Sequence, residues 1–345
     1  MTKRVFRVPS GTAPFLNIFS GGRCVPRGSG GFSSAQIEQI RRTVRRAPEV
    51  MVKVTGGGRK TGAVAAHLAY ISQEGKLDLE SDDGQRISRA GQKELLTGWH
   101  LELSAGQYRQ PRDGNRRPAG IKLVHNITLS MPAPTPPEAV LAAAKVFARE
   151  RFALKHRYAM ALHTHQQHPH VHLVVKAEAE DGRGRLHIDK AMLREWREDF
   201  ARMMRAQGIA ANATSRAVRG QGKRAARAAI YRAKGRRNSY AMREAVQSIA
   251  AELTRTRRIH DAAHARLAET RQSIVAGWMD VAARLDAQGE LMLAGDVRYF
   301  AKHLPPVLTD RERLAADFIR HIKARRAERT RGDDRVRDRT LERTR

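Results

Sequence analysis

Cysteine is almost missing from this sequence: Cys24 is alone among 345 residues. A single thiol excludes an intramolecular disulfide framework and any cysteine-rich zinc module, and it suits a reducing compartment. Aromatic residues are scarce at 5%, and acids are outnumbered, 35 Asp+Glu against 65 Lys+Arg, for a formal charge of +30. Such a field favours a polyanionic partner, nucleic acid before membrane. No run approaches the roughly 18 apolar residues that span a bilayer. The opening, MTKRVFRVPSGTAPF, has no continuous apolar stretch of the signal-peptide kind. The expectation is a non-secreted, cytoplasmic protein. Hydrophobic residues still make up 41% of the chain, enough for a packed core, and the length allows two domains.

Composition divides the chain into three. Residues 1–47 read as a flexible basic arm, rich in Gly, Pro and Ser to about residue 33, followed by a short helix (AQIEQIRRTVRR) that Ser34 is placed to cap. Residues 48–215 carry the regular patterns. VMVKVTG at 50–56 is strand-like, and Thr61 is placed to cap a helix to about Gln73 with Val64, Leu68 and Ile71 on one stripe. A polar, turn-rich stretch follows, then a helical piece near 89–104 and a loop to about 120. Strands at 121–130 and 157–165 and within HPHVHLVVKAEAE, with helices at 135–152 and 192–208, complete an α+β pattern of antiparallel sheet and flanking helices. Residues 216–345 read as a basic, mainly helical extension with a mobile tail. Its first stretch, SRAVRGQGKRAARAAIYRAKGRRNSY, has nine Lys+Arg and no acid. Arg216, Arg219, Lys223, Arg224 and Arg227 there are expected to meet phosphate, giving affinity without base selection.

The densest chemistry is HTHQQHPHVH, with five histidines at 163, 165, 168, 170 and 172. Alternate strand residues share a face, so His163 projects with His165, and His170 with His172, while Val171 and Leu173 point to the core. A connection from Gln166 to Pro169 would set His165 against His170 and His163 against His172, gathering four imidazoles on one face of a hairpin. Neutral imidazoles suit Zn, Mn, Ni, Co or Cu better than Ca. A solvated hairpin or a structural metal staple would satisfy the same residues.

HTHQQHPHVHLVV resembles the third motif of the Mob-type plasmid relaxases, within the HUH endonucleases. His163, His170 and His172 match its metal-binding histidines, and His165 stands where the family has Asp, as a fourth or outer-shell group. Tyr70 in GAVAAHLAYISQEG is similar to the family's nucleophilic tyrosine, and Ser130 in HNITLSMP to its DNA-contacting serine. His67, one turn before Tyr70, reads as a surface histidine. The resemblance covers about residues 48–215. It implies site- and strand-specific nicking and joining at a plasmid origin of transfer, with a divalent metal (Mg, Mn or Zn) and a 5′-phosphotyrosine adduct. Implied partners are single-stranded and origin DNA, an accessory DNA-binding protein, a coupling protein and a type IV secretion system. The implied setting is the bacterial cytoplasm, with passage to the recipient cell alongside DNA.

Two other readings use the same residues. An HUH replication initiator would place its tyrosine after the histidine pair, at Tyr231 or Tyr240. A non-catalytic nucleic-acid binding protein would need only the charge and a metal staple.

Overall fold

The structure, a computed structural model, describes residues 31–107, 121–221, 240–256 and 261–342. The arm at 1–30, the loop at 108–120 and the basic run at 222–239, with Lys223, Arg224, Arg227 and Tyr231, lie outside these residues. The chain divides into two compact units that meet in sequence between Ser215 and Arg216.

The first unit is built on a six-stranded antiparallel sheet. In chain order its elements are α1 (Ser34–Val44), β1 (Met51–Gly56), α2 (Thr61–Ile71), β2 (Leu79–Ser81), β3 (Arg86–Ile87), α3 (Gln92–Gly98), α4 (Leu101–Gln107), β4 (Val124–Ser130), α5 (Pro137–Phe152), β5 (Tyr158–His163), β6 (His170–Lys176) and α6 (Lys190–Ala206). Strand order across the sheet is β1-β4-β6-β5-β2-β3, so the β5–β6 hairpin is central. The α+β expectation of an antiparallel sheet with flanking helices therefore holds.

Period-2 alternation assigns the two sheet faces to two cores. Val171, Leu173 and Val175 of β6, with Ile127 and Leu129 of β4, pack beneath α5 and α6. Phe147, Phe152, Trp196 and Phe200 meet edge to face there, with ring centroids 5.4 Å apart for Phe152–Trp196 and 5.9 Å for Phe147–Trp196. Each fully buried ring of this kind contributes about 1.5–3 kcal/mol by transfer from water. On the opposite face Val124, Ala159, Ala161 and Val174 receive the buried stripe of α2, Val64, Leu68 and Ile71.

Several details differ from expectation. Ser33, not Ser34, caps α1, because its hydroxyl accepts from Gln36 N while the Gln36 side chain accepts from Ser33 N, a reciprocal box. Thr61 is the first residue of α2, and Lys60 occupies the cap without a side-chain hydrogen bond. The turn-rich stretch after α2 holds a small hairpin, β2–β3, and β2 pairs with β5. The helical piece near 89–104 is two helices, interrupted where His100 takes a left-handed φ of 48°. Helix α1 belongs to the same unit as the sheet. Glu49 accepts hydrogen bonds from Asn212 Nδ2 at 3.3 Å and Thr214 N at 2.7 Å, and Val50 N donates to Asn212 O at 2.9 Å, so both ends of the unit are joined.

The second unit is helical in its described residues: α7 (Tyr240–Thr256), α8 (Ala263–Ala287), α9 (Leu291–Lys302) and α10 (Asp310–Glu342). Helices α8 and α9 form an antiparallel pair turned at Gly289, whose φ of 83° suits glycine. Trp278 and Phe300 meet across it at 5.1 Å, and Trp278 Nε1 donates to Val218 O at 2.9 Å. Among the described residues no helix is long and apolar enough to cross a membrane.

Candidate metal centre and nucleophile

Two rungs of the sheet carry the site. Met51, Ser130, His170 and His163 lie side by side across β1, β4, β6 and β5, and Lys53, Thr128, His172 and Ala161 form the adjacent rung on the same face. The hairpin register differs from expectation: His163, not His165, pairs with His170. A shift of two residues preserves which face each side chain takes, so the trio still converges. The connection runs from Thr164 to Pro169 because loop contacts end β5 early. His165 Nδ1 accepts from Gln73 Nε2 at 2.9 Å, and His168 Nδ1 accepts from Ala133 N at 3.2 Å.

His163, His170 and His172 each offer a ligand nitrogen, all within 4.8 Å of one another. His163 Nε2 donates to Ile71 O at 2.6 Å, which fixes its tautomer and leaves Nδ1 as the acceptor. His170 Nδ1 donates to His168 O at 3.0 Å, leaving Nε2. His163 Nδ1 and His172 Nδ1 are buried without a hydrogen-bond partner. His163 Nδ1, the acceptor left by the bond to Ile71, is an unpartnered nitrogen within this cluster and fits a cation, whose binding would satisfy it. His165 stands outside the trio, its ring 5.1 Å from that of His163.

Burial favours the neutral form of His163 and His172. It pushes His172 down to about 3, with further lowering from His163 and His170. Burial also lowers His163, partly offset by its bond to Ile71. Neutral imidazole is the metal-binding form, so these two rings are held ready near pH 7.

Tyr70 approaches from α2. The stripe Val64, Leu68 and Ile71 anchors the helix to the sheet, which turns Tyr70 outward, 59% exposed. Its ring lies edge-on to His172 with centroids 6.2 Å apart. His67 completes a triangle, 6.0 Å from Tyr70 and 6.3 Å from His172. The surface reading of His67 is thereby corrected: Nε2 is buried without a partner, and burial lowers its pKa.

Residues 80–209 match the family described as Relaxase: MobA/VirD2-like, nuclease domain. This region is a Mob-type relaxase nuclease domain. No curated protein matches the chain. DNA nicking is the activity that a relaxase domain brings. The match takes in the whole His hairpin and starts after α2, but α2 belongs to the same compact unit.

Ser130 sits in the relaxase sheet directly between Met51 and His170, buried at 4% exposure. Arg216 and Arg219 lie in the turn that opens the second unit. Tyr240 begins α7 there. Sequence reasoning passed over Lys53 and Thr128, which share the sheet face of the histidine trio. Their signal was the alternation of VMVKVTG and HNITLS, which places Lys53 and Thr128 opposite in phase to the core residues Val52, Ile127 and Leu129.

Proposed function

We propose that this chain nicks and rejoins one strand of DNA at an origin of transfer by transesterification, with Tyr70 as nucleophile. The observation that supports this reading is the 6.2 Å approach of the Tyr70 ring to His172, which puts a solvent-accessible phenol beside the histidine trio. Oη of Tyr70 attacks a phosphodiester phosphorus, the bond to the 3′ oxygen breaks, and that oxygen leaves as a hydroxyl after taking a proton. The phenolic proton passes to solvent. Because the adduct is itself a phosphodiester, a free 3′-OH can reverse the step and reseal the strand.

A divalent cation held by His163, His170 and His172 would supply Lewis-acid stabilisation of charge on the phosphate oxygens. The chain's own residues do the rest. His163 and His170 are oriented by backbone carbonyls, the α2 stripe holds Tyr70 at the rim, and Ser130 offers a hydroxyl beside His170. Arg216, Arg219, Lys223, Arg224 and Arg227 supply phosphate affinity in this reading. An accessory DNA-binding protein, a coupling protein and a type IV secretion channel are the partners that plasmid transfer would require.

The test is incubation of the protein with end-labelled single-stranded DNA spanning the candidate origin, with Mn²⁺ or with chelator, followed by denaturing electrophoresis. Wild type should give a metal-dependent covalent adduct, and Tyr70→Phe should reduce it at least about 100-fold, as expected for loss of a nucleophile. An undiminished adduct in Tyr70→Phe would transfer the role to Tyr231 or Tyr240 and favour a replication initiator. Metal and DNA binding without cleavage of the origin strand would favour a binding protein.

A further inference from the structure

Two members of the trio have their outer ring nitrogen fixed by a carbonyl, His163 by Ile71 O and His170 by His168 O. His172 does not: its Nδ1 is buried and unpaired. Directly across from it on β4 is Thr128, only 8% exposed, whose Oγ1 is also buried and unpaired. The two side chains share a sheet face at paired positions, where Cβ atoms stand roughly 4.5–5.5 Å apart. They are complementary in kind, since a neutral imidazole N–H donates and a hydroxyl oxygen accepts. Two residues along the same face of β4, Asn126 Oδ1 is a third buried, unpaired atom and an acceptor for the hydroxyl's own proton.

We propose that Thr128 is the positioning residue for His172, accepting a hydrogen bond from Nδ1–H and thereby directing Nε2 to the cation. The proposal rests on the trio's reading as a metal site. Rotation of the Thr128 side chain about χ1 is the movement needed, and ligand histidines are generally held by such an outer partner. His67 is the competing neighbour, because its Nε2 is unpaired as well. Thr128 is favoured because it is level with His172 in the sheet, whereas His67 lies on the covering helix with its ring stacked against Tyr70.

Calorimetric titration with Mn²⁺ tests it on wild type, Thr128→Val, Thr128→Ser and His67→Phe. Thr128→Val keeps the shape and removes the hydroxyl, and should weaken Mn²⁺ binding by about 10–100-fold. Thr128→Ser should restore affinity, and His67→Phe should leave it unchanged. In the unaltered protein with Zn²⁺, nitrogen-15 spectra of labelled histidine should show an Nδ1–H proton on His172 protected from exchange, a readout independent of how any variant folds. Equal affinity of Thr128→Val and wild type, an equal loss in Thr128→Ser, loss in His67→Phe alone, or an unprotected Nδ1–H would each overturn the assignment. Wild type that binds neither Mn²⁺ nor Zn²⁺ would instead overturn the metal reading, and the role of Thr128 with it.

Discussion

Side chains on the two faces of β4 show how strongly burial acts on histidine in this domain. His125 lies on the face away from the trio, with Nε2 donating to Leu186 O at 3.0 Å, and burial above all pushes its pKa down from 6.5 to about 4. The unfolded chain therefore takes up a proton near pH 6.5 that the folded domain refuses until about pH 4. Stability attributable to His125 is complete above that window, declines as pH falls through it, and is level below. Thermal melting of His125→Gln should show a flatter fall between pH 6.5 and 4 than wild type, and an unchanged slope would count against the buried neutral form. Isolated residues of this kind are poorly legible in sequence. His67 looked like a surface group because one face of one helix cannot reveal the sheet that closes over it.

At the level of elements, α2 is docked through glycine as much as through its apolar stripe. A Cβ on Gly57 would collide with the carbonyl oxygen of Val124, and one on Gly58 with a methyl of Val64. The carbonyl belongs to the sheet backbone and cannot turn aside, so Gly57→Ala should destabilise the domain by about 1–3 kcal/mol, measured by urea denaturation. It should also displace Tyr70, lowering adduct yield more than DNA affinity. Much of this layer was readable in advance: the stripe of α2, helices α5 and α6, and the alternation of β5 and β6 all follow local periodicity. The β2–β3 hairpin was not, since its five residues carry no periodic signal and gain their place only by pairing with β5. The hairpin register was legible only to within two residues. Parity rescued the site, since His163, His170 and His172 share a face at either register, whereas the contacts that draw His165 into the loop come from Gln73, far away in sequence.

Across the whole molecule the charge of +30 governs how DNA is met. Affinity for single-stranded DNA should fall steeply with salt. Six phosphate contacts would give a log–log slope of about −4, read by fluorescence anisotropy over a salt series, whereas a slope near −1 would confine the electrostatic contact to one or two residues. The expectation that the sequence forms a sheet-based domain followed by basic helices came from local periodicity and the charge distribution, but neither could show how the sheet domain is closed. That closure is the Glu49 carboxylate, which accepts from Asn212 and Thr214 beside the parallel bridge between residues 49 and 212. Tension applied to the chain beyond Ser215 would enter the domain at this point, in line with the strand direction and before reaching any strand that carries a ligand. A pull from the C-terminal side is thus borne first by a few side-chain and backbone hydrogen bonds sheared together, and the load must cross β1 and β4 before it reaches the two strands that carry the histidines.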